Sequence, residues 1–164
     1  MTDMKSTPVT HLRHVGLASP DFARAAEFFR TTWGLVQVAE DDGIAFFGTP
    51  ASPENYILRV RKDHVKRLDV VAFGVANTTD VDDLAARFGT AGIAIDREPG
   101  HLDTPGGGYG FRFFDPDGRL VEISSDVAQR PSRELEERES IPRKLSHVVF
   151  NSTDVPATKA FYEK

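Results

Sequence analysis

The chain has 164 residues, 40% hydrophobic and 27% charged, the balance of a globular fold with enough apolar material to build a core. Its net charge of -5 speaks against a nucleic-acid or anionic-membrane partner, since both select basic surfaces, and the absence of cysteine excludes disulfides, thiolate zinc sites, iron–sulfur clusters and cysteine nucleophiles. The opening MTDMKSTPVT has no long apolar stretch of a signal peptide, and no run approaches the roughly 18 apolar residues of a membrane span, so a cytoplasmic location is expected.

Residues 1–10 read as a tail. HLRHVGLA (11–18) alternates as a strand does. Ser19, Pro20 and Asp21 then supply a helix start, with a cap candidate, a proline and an early acid. FARAAEFFRTTW follows with apolar residues at near-helical spacing, and Gly34 stops it. LVQVAE, IAFFG and YILRVR read as three short strands separated by turn residues. The pattern then starts again: RLDVVAFGVA is a strand, TTDVDDLAARFGTAG a capped helix ending at Gly92, and IAIDREP a strand. YGFRFFDP and RLVEISSD form a hairpin about Asp115-Pro116-Asp117-Gly118. Residues 129–143, QRPSRELEERESIPR, are charged and bracketed by Pro131 and Pro142, and they read as a linker with a polar helical turn.

Offsets expose the repeat. A shift of 56 aligns Leu12 with Leu68, Val15 with Val71 and Leu17 with Phe73, and sets His14 against Val70. A shift of 133 aligns Leu12, His14, Val15, Ser19, Asp21 and Phe28 with identical residues at 145, 147, 148, 152, 154 and 161. The chain thus holds modules at 11–62 and 67–126, which together make a domain of 11–128, and 144–164 reads as the opening of a third module.

A duplicated β-α-β-β-β module, a histidine on its first strand and DPDGRLVEI on its last together resemble the vicinal oxygen chelate superfamily of glyoxalases, bleomycin-resistance proteins and extradiol ring-cleaving dioxygenases. The resemblance implies an α+β fold: paired βαβββ modules forming a curved mixed sheet, a half-barrel with helices outside. Two modules, a polar linker and LSHVVF are most similar to the N-terminal domain of a two-domain extradiol dioxygenase, followed by the truncated start of its catalytic domain.

That resemblance implies a metal held by two histidines and one carboxylate, which suits Fe(II) or, as an alternative, Mn(II). It makes His147 the first ligand of an incomplete catalytic domain, and His14 and Glu122 vestigial equivalents in the first domain, with Val70 where the middle ligand would stand. The remaining ligand and acid–base residues are expected beyond Lys164, so this chain alone should be inactive and should not bind metal tightly. The implied partners are a small aromatic diol and O2, and a homo-oligomer is expected. A single-domain small-molecule binding protein without catalysis is the main alternative, and a glyoxalase-like isomerase or lyase a further one.

Other residues carry smaller expectations. Strand alternation turns Asp69 away from Val70's face, making it a poor substitute ligand. It puts Phe111 and Phe113 on one face and Phe114 on the other. His101 and Tyr109 are candidates to line the cavity; His64 falls in a solvated turn and His11 at a strand edge. The glycines of HLDTPGGGYGF lack the lysine and following helix of a phosphate loop and read as a hairpin connection. The apolar residues of 145–163 are expected to pack on a neighbouring chain, pair with a sheet edge or be poorly ordered.

Overall fold

A computed structural model describes residues 8–163. The first module comprises β1 (Val9–Ser19), α1 (Phe22–Thr31), β2 (Val36–Asp41), β3 (Ile44–Gly48) and β4 (Leu58–Lys62). The second comprises β5 (Arg67–Val75), α2 (Thr78–Thr90), β6 (Ile95–His101), β7 (Tyr109–Phe114) and β8 (Leu120–Ser125). A last helix, α3, spans Val155–Tyr162. All eight strands form one curved mixed sheet in the order β2-β3-β4-β1-β5-β8-β7-β6, the α+β architecture expected from the sequence.

The two modules meet along β1 and β5, which pair antiparallel with Gly16 opposite Val70, Val15 opposite Val71 and His14 opposite Ala72. This register is a local two-fold that carries each residue of β1 onto the one 56 positions later. The flanking pairs obey the same two-fold. Gly16 lies beside Arg59 in the parallel pair β1–β4, and Ala72 beside Glu122 in the parallel pair β5–β8, so Arg59 and Glu122 are equivalent. Phe47 opposite Leu58 matches Phe113 opposite Val121.

Alternation along each strand sends apolar residues to the helix side. Under α1, Ala26 and Phe29 bury against Phe47, Leu58 and Val60; under α2, Val81, Leu84 and Ala85 bury against Phe111, Phe113 and Val121. Phe111 and Phe113 do share that face, and Phe114 is exposed. Both helices start where short polar side chains can accept from free N–H groups. The Asp21 carboxylate accepts from the Arg24 N–H at 3.3 Å and the Asn77 amide oxygen from the Asp80 N–H at 3.0 Å.

The C-terminal part departs from expectation in two ways. Residues 144–150 form no strand, and 129–143 contains a turn but no helix. The backbone instead lies along module 1: the Arg130 and Arg133 N–H groups donate to the Pro53 and Pro50 carbonyls, each at 2.9 Å. A strand needs a ladder partner; β1 has β4 and β5, and 144–150 has neither. The segment 151–162 folds back onto its own chain. Phe161 packs on Phe88 and Phe113, with ring centroids 6.4 and 6.0 Å away. The Asp117 carboxylate accepts from the Thr153 N–H at 3.1 Å and the Thr158 hydroxyl at 2.8 Å, and the Tyr162 hydroxyl donates to Asp115 at 2.9 Å. At the head of α3, Asp154 caps through the Ala157 N–H at 3.0 Å, the role Asp21 plays in α1.

Candidate metal centre

The inner face of the sheet, opposite the helices, carries the polar residues of the four central strands. The two-fold defines four related positions there: His14 on β1, Val70 on β5, Arg59 on β4 and Glu122 on β8. All four are buried. The two sequence candidates, His14 and Glu122, thus sit on strands flanking β5, within one cup.

Two β-bulges alter the cup in a way alternation does not show. Between Leu12 and His14 the register slips by one residue on β1, making Arg13 the extra residue; between Gly16 and Leu17 it slips on β5, making Asp69 the extra residue. The bulges are themselves two-fold related, and each turns a charged residue into the cup. Asp69 is therefore not on the opposite face. Its carboxylate accepts from Arg59 at 2.7 Å and from Arg61 at 3.0 Å. Arg13 donates from Nη1 to the Ser124 hydroxyl at 2.7 Å and from Nε to Glu54 at 3.2 Å. Arg112, opposite Glu122 in the β7–β8 ladder, donates to Glu122 Oε2 at 2.8 Å.

Four guanidinium groups, of Arg13, Arg59, Arg61 and Arg112, thus meet three carboxylates, and His14 lies among them with both ring nitrogens unpartnered. Burial first, and then the fields of Arg59, Arg13 and Arg112, hold its imidazole well below the ordinary histidine range, so it is neutral at pH 7. The Tyr56 ring lies over it with centroids 4.6 Å apart, and Phe46 packs edge-on against Tyr56 at 4.9 Å. Burial and the Glu122 charge push the Tyr56 hydroxyl up, while a hydrogen bond with Thr104 on the β6–β7 loop counters them. The glycines of that loop, Gly106, Gly107 and Gly108, all take positive φ and let the chain turn back over Asn55 and Val127.

The other candidates lie elsewhere. Tyr109 points to the helix side, where its hydroxyl donates to Asp82 on α2 at 2.9 Å, and the His101 ring packs edge-on against it; neither lines the cup. His64 is exposed in its turn beside Asp63. His11 lies near the N-terminal end of β1, opposite Gly74 of β5, and is paired with Glu54 at 2.9 Å. His147 is exposed, with Nδ1 3.2 Å from the Ser146 hydroxyl. Among the described residues no group of three or more histidine and acidic side chains is placed to hold a metal ion. Arg59, Arg112 and Tyr56 were missed as site residues. Their signal is a polar side chain alternating with apolar ones in YILRVR and FRF, on strands both of whose faces are covered.

Residues 11–123 match the Glyoxalase/Bleomycin resistance protein/Dioxygenase superfamily. The chain belongs to this superfamily. Metapyrocatechase 2 of Cupriavidus necator is 30% identical over 122 residues, which are 74% of this chain and 38% of that protein. The Mn(II)-bound glyoxalase from Novosphingobium aromaticivorans is 41% identical and superposes with a TM-score of 0.89 over 94% of this chain and 52% of its own. The 2,3-dioxygenase LapB from Pseudomonas sp. KL28 shares the fold, with a TM-score of 0.69 at 22% identity over 80% of this chain and 46% of its own. The chain therefore spans about half or less of the length of each. Relatives in this superfamily include metal-dependent enzymes, and the cup of this domain can be tested for a metal on its own residues. It does not fit one. One Glu122 oxygen is taken by Arg112, one of the four positions is apolar, and another is a cation.

Proposed function

We propose that this chain is the N-terminal part of an Fe(II)-dependent extradiol dioxygenase that cleaves a catechol-type ring with O2. The observation that carries this reading is the repeat itself. Asp154 caps α3 as Asp21 caps α1, so the alignment that sets His147 on His14 coincides with an equivalent structural event seven residues on. In this reading His147 is the first metal ligand of a second module pair, and His14 and Glu122 are vestiges of the same ligand set in the first. The metal would supply a centre at which the diol oxygens and O2 bind side by side and exchange electrons. The present domain supplies a rigid scaffold and subunit contacts in a homo-oligomer. Its cup residues are buried and bonded to one another, which argues against a free-standing drug-binding cleft.

A second reading draws on the 41% identity to a Mn(II)-bound glyoxalase, which favours an isomerase or lyase built on the same two-domain plan. The test is anaerobic loading of the whole protein with Fe(II) or Mn(II). Stoichiometric oxygen uptake and a yellow product from 3-substituted catechols support ring cleavage. Conversion of a 2-oxoaldehyde–thiol adduct without oxygen uptake replaces it with the second reading.

A further inference from the structure

We infer that this domain has exchanged a bound metal for an internal cation, the Arg59 guanidinium, clamped by Asp69. The inference rests on the superfamily and the strand register, and it stands whichever reaction the whole protein performs.

Four observations converge on Arg59. By the two-fold it occupies the position that corresponds to Glu122, so a cationic side chain stands where the pattern would place a second carboxylate. It is buried, and its Nη2 donates to Asp69 at 2.7 Å; that partner is delivered by the bulge on β5. Its stem crosses Gly16, where an added Cβ would lie 2.9 Å from Arg59 Nε and 2.8 Å from a Val70 methyl. The bare glycine is what lets a long side chain lie flat across the cup. Finally, four of the six buried side-chain polar atoms without partners among the described residues belong to these related positions: both nitrogens of His14, Arg59 Nε and Glu122 Oε1, the other two being Arg13 Nη2 and Arg130 Nη1.

Charge explains why a metal and this arrangement exclude each other. The cup holds Arg13, Arg59, Arg61 and Arg112 against Glu54, Asp69 and Glu122, each cation already bonded to an anion. A dication would add two uncompensated charges in a buried, poorly screened volume, next to Arg59 itself. The same substitution makes the domain's fold independent of metal supply, whereas a metal-liganded module would lose stability to a chelator.

The experiment is Mn(II) titration of the 164-residue chain followed by the electron paramagnetic resonance of the free aquo ion, with thermal melts in EDTA. The wild-type chain is expected to leave Mn(II) free at millimolar concentration and to melt at the same temperature with and without EDTA. Arg59→Glu combined with Val70→His is expected to bind one Mn(II) per chain, and binding should disappear when His14→Ala is added. Arg59→Gln removes the charge and shortens the side chain by the guanidinium carbon and its terminal nitrogens, Nη2 to Asp69 included, leaving Arg61 on Asp69. It should bind Mn(II) at least tenfold more tightly than wild type and covers the case in which the double variant does not fold. Micromolar Mn(II) binding by the wild-type chain that His14→Ala abolishes would overturn the inference. So would Arg59→Gln, folded by circular dichroism, with no gain in affinity.

Discussion

Modules 1 and 2 share one backbone plan and differ at the positions that matter for chemistry. On the helix side they are alike: Phe47 and Phe113 occupy equivalent places, each under a helix phenylalanine, Phe29 at 6.1 Å and Phe88 at 4.7 Å. On the inner side the equivalent pairs diverge into His14 against Val70 and Arg59 against Glu122. A sheet face packed under a helix constrains its residues through volume and apolarity. The inner face is constrained only by the need to satisfy each buried polar group, and many different sets satisfy it. Two modules with one fold can therefore carry opposite charges at equivalent points.

The strongest way to break this comparison is through the shared side. Phe47→Ala and Phe113→Ala should each cost about 3–5 kcal/mol, in a single urea transition, because the modules share the continuous β1–β5 ladder. Two transitions, only one of them shifted, would show that the modules fold independently.

The inner side should respond unequally. Arg59→Ala strands a buried carboxylate that keeps Arg61 as a partner, and about 3 kcal/mol is expected. Glu122→Gln releases Arg112, which reaches solvent, so about 1–2 kcal/mol is expected. Equal costs in denaturant melts would erase the distinction.

A pH profile sharpens it further. The folded-state pKa of His14 lies below its unfolded value, so as pH falls through about 6.5 the unfolded chain takes up a proton that the folded chain refuses. Stability is full above that pH and falls below it by up to about 1.4 kcal/mol per pH unit, until the depressed folded-state value is reached. His14→Val, which makes position 14 match Val70, should flatten the profile between pH 6.5 and the carboxylate range.

The smallest expected effect concerns what each module's last hairpin holds. Module 1 holds the linker through the Pro50 and Pro53 carbonyls, and module 2 holds the C-terminal segment through Asp117. Hydrogen bonds from Ser152, Thr153 and Thr158 keep the Asp117 carboxyl well below its ordinary range. Docking is thus complete at neutral pH and is lost only in strong acid, as pH falls through the depressed value. Asp117→Asn should raise hydrogen exchange in 151–162 while changing the global free energy of unfolding in urea by less than about 1 kcal/mol.

Much of this molecule was legible because it is written in local patterns. Period-two and period-3.6 spacing located eight strands and the two domain helices, the run Ser19-Pro20-Asp21 marked the first helix start, and the offset of 56 is the two-fold of the sheet. These features depend on neighbours a few residues away or on a comparison of the chain with itself. The two bulges do not. A slipped register is a property of a strand pair, so alternation within β5 turned Asp69 outward where the β1–β5 ladder turns it in. Arg59, Arg112 and Tyr56 became site residues only when strands up to dozens of residues apart were laid side by side. Residues 145–150 repeat the composition of β1 without the ladder partners that make a strand. Composition and periodicity fix which residues want burial; tertiary register decides which buried groups meet, and in this domain that meeting replaced a ligand set with an ion-pair cluster.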